Sequence, residues 1–407
     1  MTDLPPVSVV VVSRGRPAAL RRCLAAIGQL DYPAFEVVTV VDAPGAAAVA
    51  ALKGRIKIVG CDAANISIAR NRGIAVAAGE IVAFIDDDAV PEPLWLAHLV
   101  APLAEGAAEA AGGFVVGRNG ISPQWQGRMA FADGQTAPLP IAGDAPVVVE
   151  GAPGRAAKTE GTNMAVRRDV LVALGGFDEA YRYYLDETDL NLRLAAAGHR
   201  TAIVPLAQVH HGFFPNAVRT ADRVPRNLFE IGASTAVFLR KHQSGAPVPL
   251  IHRDQQRRRL LRHMVAGDLV PGDVRRLLKG YDAGWAEGLT RETGVHPRLP
   301  EPPAFQPWRG RFAGHEVIRA RFWQAAGARE KARAAVAEGR RVTLFLLSLS
   351  GLYHRVAFDP DGYWVQRGGQ FGRSERDQPV LRWFSARQRV AAEVNRLRNI
   401  RWKSGQE

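Results

Sequence analysis

The sequence predicts an α/β protein whose N-terminal part is a doubly wound, mostly parallel sheet flanked by helices. Three observations carry that expectation. Val7–Val12, Phe35–Val41 and Ile81–Ile85 are short β-forming runs without a polar face, as in strands buried on both sides. Helix-like segments, Ala18–Gln29 and Ile66–Ala78, separate them. Each run also stops at a polar turn: Ser13-Arg14-Gly15-Arg16-Pro17, Asp42-Ala43-Pro44-Gly45, and Asp86-Asp87-Asp88. Open sheets of this kind bind ligands at the carboxyl ends of their strands, which would place Ser13, Asp42 and the three acids on one edge.

In the first helix Leu20, Leu24 and Ile27 share one face. Arg55–Val59 reads as a short third strand, and the second helix carries Arg70-Asn71-Arg72-Gly73. Pro91 and Pro93 are expected to end both strand and ladder after the acids. Three adjacent carboxylates repel one another unless a cation shares them, and Mg²⁺ takes carboxylate oxygens together with phosphates. An acidic turn capping the next helix is the structural alternative. Residues 112–158 are rich in Gly, Pro and Ala and read as a long irregular segment. Thr201–Pro205 reads as a further strand.

The 407 residues exceed one ordinary core, so more than one domain is expected. A basic helical extension is read over 241–295, with Arg253, Arg257, Arg258, Arg259 and Arg262, then a Pro-rich linker over 296–308. The rest, 309–407, reads as a small basic α+β unit: a helix within Arg319–Ala337, an apolar run Val342–Leu349, a hairpin at Asp359-Pro360-Asp361-Gly362, and a terminal helix Ser385–Arg401. No family is recognised there and no chemistry assigned. Cys23 and Cys61 are the only cysteines, which excludes a disulfide framework and fits a reducing, cytoplasmic setting. The net charge of +13 admits nucleic acid, an anionic membrane surface or an acidic substrate as partner. Nucleic acid has only charge behind it and is not expected.

The order VVVVSRGRP, VVDAP, ARNRG and FIDDDAVPEPLWL resembles the family 2 glycosyltransferases of the GT-A fold. Thr159–Arg168 resembles that family's acceptor-side strand, and Gly175-Gly176-Phe177-Asp178-Glu179 precedes Leu185–Leu194, which resembles its (E/D)(D/E)xDLxxR segment. Val209-His210-His211 stands where many members place a late histidine. Residues 1–240 are therefore expected to form a GT-A domain. The resemblance implies a nucleotide-sugar donor, a glycan or lipid-linked acceptor, Mg²⁺ or Mn²⁺, and inverting transfer in cell-surface polysaccharide or glycolipid assembly. Ser13, Arg14, Asp42, Arg70, Asp86 and Asp87 would bind the donor; Asp88, Asp86 and His210 the metal. Glu187 would be the base, with Asp186 its neighbour. Gly161, Thr162, Asn163 and Trp125 would line the acceptor or sugar pocket. Two alternatives remain: a degenerate relative that binds glycan or membrane, and a nucleotidyltransferase, whose glycine-rich phosphate loop is missing from the first turn.

Overall fold

The computed structural model describes residues 4–212, 214, 218–245, 247–294, 299–310 and 312–402. Its centre is a mostly parallel sheet in which Val7–Ser13 lies between Phe35–Val41 and Ile81–Asp86, parallel to both. Lys57–Gly60 extends one side. On the other, Met164–Arg167 runs antiparallel between Ile81–Asp86 and Ala110–Val116, followed by Arg200–His211 and Val147–Glu150.

Helices cover both faces, as the apolar faces of the strands require. Leu20, Leu24 and Ile27 of Pro17–Ile27 and Leu96 and Leu99 of Trp95–Ala104 pack with Val9, Val37 and Ile85. Opposite, Ile74 of Ile66–Val76 and Leu190 and Leu194 of Asp186–Ala196 pack with Val10, Val38 and Phe84. Each fully buried aliphatic or aromatic side chain contributes about 1.5–3 kcal/mol. The register pairs Ser13 with Val41 and Val12 with Asp86, so the polar strand ends align on one edge.

Three expectations are corrected. The ladder does not stop at the prolines: Ala89–Pro91 pairs antiparallel with Val209–His211. Pro91 is tolerated because this three-residue strand pairs on one side only, outside the main strand order. About half of the stretch 112–158 is strand; Arg128–Phe131, Thr136–Pro138 and Arg155–Lys158 form a separate three-stranded sheet. Most of its Gly and Pro residues mark the turns between short strands, although Gly112, Gly113, Pro123 and Pro138 lie within strands. Finally, the helical run read at Arg319–Ala337 begins later: Arg319–Arg321 end the strand His315–Arg321, Phe322–Gln324 make a short 3₁₀ turn, and the helix is Ala325–Ala337.

Of the linker assigned to 296–308, residues 296–298 lie outside the described residues. The remainder is held against the sheet: Gln306 N–H donates to Glu36 at 2.8 Å, and Trp308 stacks on Phe35 with ring centroids 6.3 Å apart. Beyond it, His315–Arg321, Arg341–Ser348 and Trp364–Gly369 run parallel, with Arg355–Phe358 antiparallel at the edge. This sheet docks beside the acidic strand end, where Val356, Phe358 and Trp364 pack with Ala26 and Val90. Among the described residues no helix is long and apolar enough to cross a membrane.

Candidate active site

The three acids differ in environment. Asp86 closes its strand with its side chain about one-third exposed, whereas Asp87 and Asp88 are buried. Ser13 Oγ donates to Asp87 at 2.6 Å, and Arg16 pairs with Asp87 at 2.7 Å and Asp88 at 3.2 Å. Burial pushes the Asp87 carboxyl up to about 7, against the opposing pull of Arg16 and Ser13. Burial acts on Asp88 in the same direction, but His211, Arg16 and the Phe214 N–H outweigh it and hold this carboxylate well below its ordinary value.

Asp86, Asp88 and His211 each offer a ligand atom, and these atoms lie within 4.8 Å of one another. His211 Nε2 is 3.1 Å from Asp88 Oδ1, while Nδ1 is 3.1 Å from Gln124 Oε1. A neutral imidazole has one donor: in one tautomer Nε2–H donates to Asp88, the contact that lowers this carboxylate, and in the other Nδ1–H donates to Gln124 and the Nε2 lone pair faces the carboxylate. That arrangement is relieved by a cation between them, and an outer hydrogen bond fixing the ring is how histidine ligands are commonly oriented. Two carboxylates and an imidazole suit a divalent ion of the Mg²⁺ or Mn²⁺ kind. The residues fit such an ion.

His210, expected as the ligand, points elsewhere. Neighbouring side chains of a strand face opposite ways, and His210 Nε2 is 2.9 Å from Glu92, its ring 4.8 Å from that of Trp364. Register thus assigns the acidic edge to His211.

The second acid pair opens the helix Asp186–Ala196, whose N-terminus favours negative charge. Leu185, immediately before it, holds φ at +66°, a conformation that is costly for a leucine. Arg70, 4% exposed, joins the two groups of acids: it pairs closely with Asp186 and reaches Asp86 at 3.5 Å. Its guanidinium also lies 5.2 Å from the centre of the Phe177 ring. Gly161 makes room for it; a Cβ there would fall 2.2 Å from Arg70 Nη2. Burial raises the Asp186 carboxyl, against the attraction of Arg70. Burial also opposes ionisation of Glu187, but Lys158, 3.2 Å away, and then Arg70 outweigh it and lower its pKa. Of the pair, Glu187 is the carboxylate whose charge its neighbours favour.

Asp42 ties two turns together, its Oδ2 accepting from Gly15 N–H at 2.8 Å and Oδ1 from Gly45 N–H at 3.0 Å. Arg14 is exposed on the same edge. Thr162 Oγ1 is buried without a hydrogen-bond partner. Asn163, in contrast, is fully engaged: it accepts from Trp95 Nε1 at 2.7 Å and donates to Phe114 and Ala207 carbonyls at 2.9 Å. Trp125 is 8% exposed in the first core, which leaves little of its ring to face a ligand. Sequence reasoning did not single out Arg16, Lys158 or Gln124, and of His210 and His211 it preferred His210. Arg16 lies within the first turn, and only strand alternation together with the 89–91 pairing could have chosen between the two histidines.

A mostly parallel sheet that gathers Asp86, Asp88 and His211 at its carboxyl edge, with a second carboxylate pair linked to them by a buried arginine, makes up the candidate site. Residues 8–169 match the family model described as Glycosyl transferase family 2. It is 27% identical over 248 residues to the O-antigen biosynthesis protein RfbC of Myxococcus xanthus, covering 54% of this chain and 18% of that protein. It is 36% identical over 86 residues to the N-acetylglucosaminyl-diphospho-decaprenol L-rhamnosyltransferase of Mycobacterium tuberculosis, covering 21% of this chain and 27% of that one. The chain thus spans under a third of the length of these curated relatives. Solved structures with some likeness include GalNAc-T7 with UDP, GalNAc and Mn²⁺, at TM-score 0.43, 17% identity and coverage of 52% and 44%. Another is S. aureus TarS 1–349 in complex with UDP, at TM-score 0.41, 15% identity and coverage of 70% and 89%.

Proposed function

We propose that the chain is a metal-dependent, inverting glycosyltransferase that moves a sugar from a nucleoside-diphosphate donor to a hydroxyl of a glycan or lipid-linked acceptor. The observation that carries this reading is Arg70 bridging Asp86, beside the ligand cluster, to Asp186, beside Glu187. It sets a diphosphate-binding edge next to an ionised base.

Asp42, Ser13 and Arg14 form the edge for base and ribose, and Arg16 and Arg70 supply fixed positive charge towards the diphosphate. Asp86, Asp88 and His211 would hold Mg²⁺ or Mn²⁺, which would supply positive charge to neutralise the departing diphosphate. Glu187 accepts the acceptor hydroxyl proton as that oxygen attacks the anomeric carbon, and such a single displacement inverts the centre. Thr162 Oγ1, free to hydrogen-bond, faces the sugar or acceptor, and Asp186 with Arg70 fixes Glu187 in place. The relatives' names support a role in cell-surface polysaccharide or glycolipid assembly. A peripheral location on an anionic membrane fits the net charge.

The test is a thermal-shift screen of UDP, GDP, dTDP and CMP with Mn²⁺, Mg²⁺ or EDTA, on wild type and Asp88→Ala. Stabilisation by one nucleotide that needs metal and is lost in Asp88→Ala supports the reading. Folded protein that no nucleotide stabilises refutes it.

A further inference from the structure

The C-terminal sheet has an open cleft of about 810 Å³. It lies towards the carboxyl ends of the parallel strands, between Leu346 and Gly368, the turn at Phe322 that leads into helix Ala325–Ala337, and the loop Gly351–Tyr353. Ligands of open α/β sheets sit at this kind of edge. Three arginines line it, and two of them are direct cross-strand neighbours: Arg355 pairs in register with Arg367. Like charges directly opposite on a sheet repel. Arg329, also at the cleft, is neutralised, donating to Asp359 at 2.8 Å and to the Tyr363 hydroxyl at 3.0 Å. Neither Arg355 nor Arg367 has a carboxylate partner among the described residues.

The walls and rim have a different character. Phe322, Leu346, Leu352 and Tyr353 line the cleft, and Leu352 is 60% exposed. Trp323, next to Phe322, is 73% exposed. Exposed apolar surface beside two unneutralised guanidiniums matches a ligand with an anionic head and an apolar body.

We propose that this cleft binds a phosphate-ester amphiphile, a phosphate or diphosphate joined to an apolar chain, with the phosphate oxygens held between Arg355 and Arg367. Guanidinium forks match phosphate oxygens, and an anion between them removes the repulsion that the free protein carries. The inference does not depend on the transfer reaction, since the binding groups are separate from the acids and the metal ligands.

The probe is geranyl diphosphate, titrated calorimetrically into the full chain in EDTA, which keeps the metal-dependent site silent. Saturable binding is expected, weakened about tenfold or more in R355Q/R367Q because two charge-assisted contacts are lost. Inorganic diphosphate and geraniol should each bind more weakly than the ester. The double variant should melt no lower than wild type, because it loses a repulsive pair. Absence of saturable binding, unchanged affinity in the folded double variant, or inorganic diphosphate binding as tightly as the ester overturns the proposal. Sedimentation with phosphatidylcholine vesicles, with and without phosphatidylglycerol, distinguishes the sources. Arginine-dependent retention on anionic vesicles supports a bilayer headgroup. Binding of the soluble ester without vesicle retention supports a single carried lipid molecule.

Discussion

Arg401→Met should destabilise the protein by about 3 kcal/mol at neutral pH, although Arg401 lies far along the chain from the acidic edge. Its guanidinium donates to both oxygens of Glu92, at 2.7 and 2.6 Å, and to Thr343 Oγ1 at 3.1 Å. It also stacks on Trp364, 4.2 Å from the ring centre. Both side chains are at most 2% exposed, so solvent screens the pair little. Two routes give similar magnitudes. Removing one partner of a buried pair typically costs about 3–5 kcal/mol. Separately, burial opposes ionisation of Glu92, but Arg401 and His210 lower its pKa from 4.5 to about 2, a shift worth about 3 kcal/mol. Because the folded pKa is the depressed one, this stability is present above about pH 5 and is lost as pH falls towards 2. Urea unfolding followed by tryptophan fluorescence at pH 7 and pH 4 measures both effects. Arg401→Met should lower the midpoint most at pH 7 and less at pH 4. Glu92→Gln on top of it should recover part of the loss, since the stranded charge is gone. A loss under about 1 kcal/mol at pH 7, or a loss that grows on acidification, would refute the reasoning.

Two further substitutions separate roles at the site. His211→Ala should weaken Mn²⁺ binding about 10- to 100-fold, whereas His210→Ala should leave Mn²⁺ affinity near wild type and lower the melting temperature; calorimetric titration beside thermal melts reads both. Glu187→Gln should keep nucleotide-dependent stabilisation yet lower the transfer rate by about 10²- to 10⁴-fold, as followed by nucleoside-diphosphate release with a matched donor and acceptor.

The first half of the sheet was legible because it depends on local signals. Val7–Ser13, Phe35–Val41 and Ile81–Asp86 are continuous apolar runs closed by polar turns, and helices alternate with them. The stretch 112–158 was not, because its strands are three to four residues long and find partners far away in sequence: Val147–Glu150 pairs with Arg200–Ile203. His210 and His211 differ only in which way each points, which is set by pairing with Ala89–Pro91. The role of Arg70 was partly hidden too. It was read as a donor-binding residue, but the link to Asp186 closes over 116 residues and needs the space left by Gly161. The linker illustrates a further limit of composition: Pro and Gly content marks irregular backbone, yet Trp308 and Gln306 bind that backbone to Phe35 and Glu36.

The charge balance of the acidic edge leads to a last prediction. Without a bound cation, the buried carboxylates Asp87 and Asp88 already face Arg16, which is only one-quarter exposed. Arg16 therefore stabilises these carboxylates itself and competes with a divalent ion for Asp88. Its charge also repels that ion, by an amount on the order of several kcal/mol at about 5 Å and an effective dielectric of about 20, before relaxation and solvent screening reduce it. Arg16→Gln should consequently bind Mn²⁺ about tenfold more tightly in the absence of nucleotide. With nucleotide present the sign should reverse. Arg16 then lies beside a diphosphate as well as the metal, and its loss removes a cation from an anionic ligand. The measurement is Mn²⁺ affinity by electron paramagnetic resonance with and without the nucleoside diphosphate that stabilises wild type, together with nucleotide affinity at saturating Mn²⁺. Tighter Mn²⁺ alone with weaker nucleotide in its presence is the expected pair of results. Weaker Mn²⁺ binding in a folded Arg16→Gln protein would mean that Arg16 positions Asp88 for the ion, and the competition argument would fall.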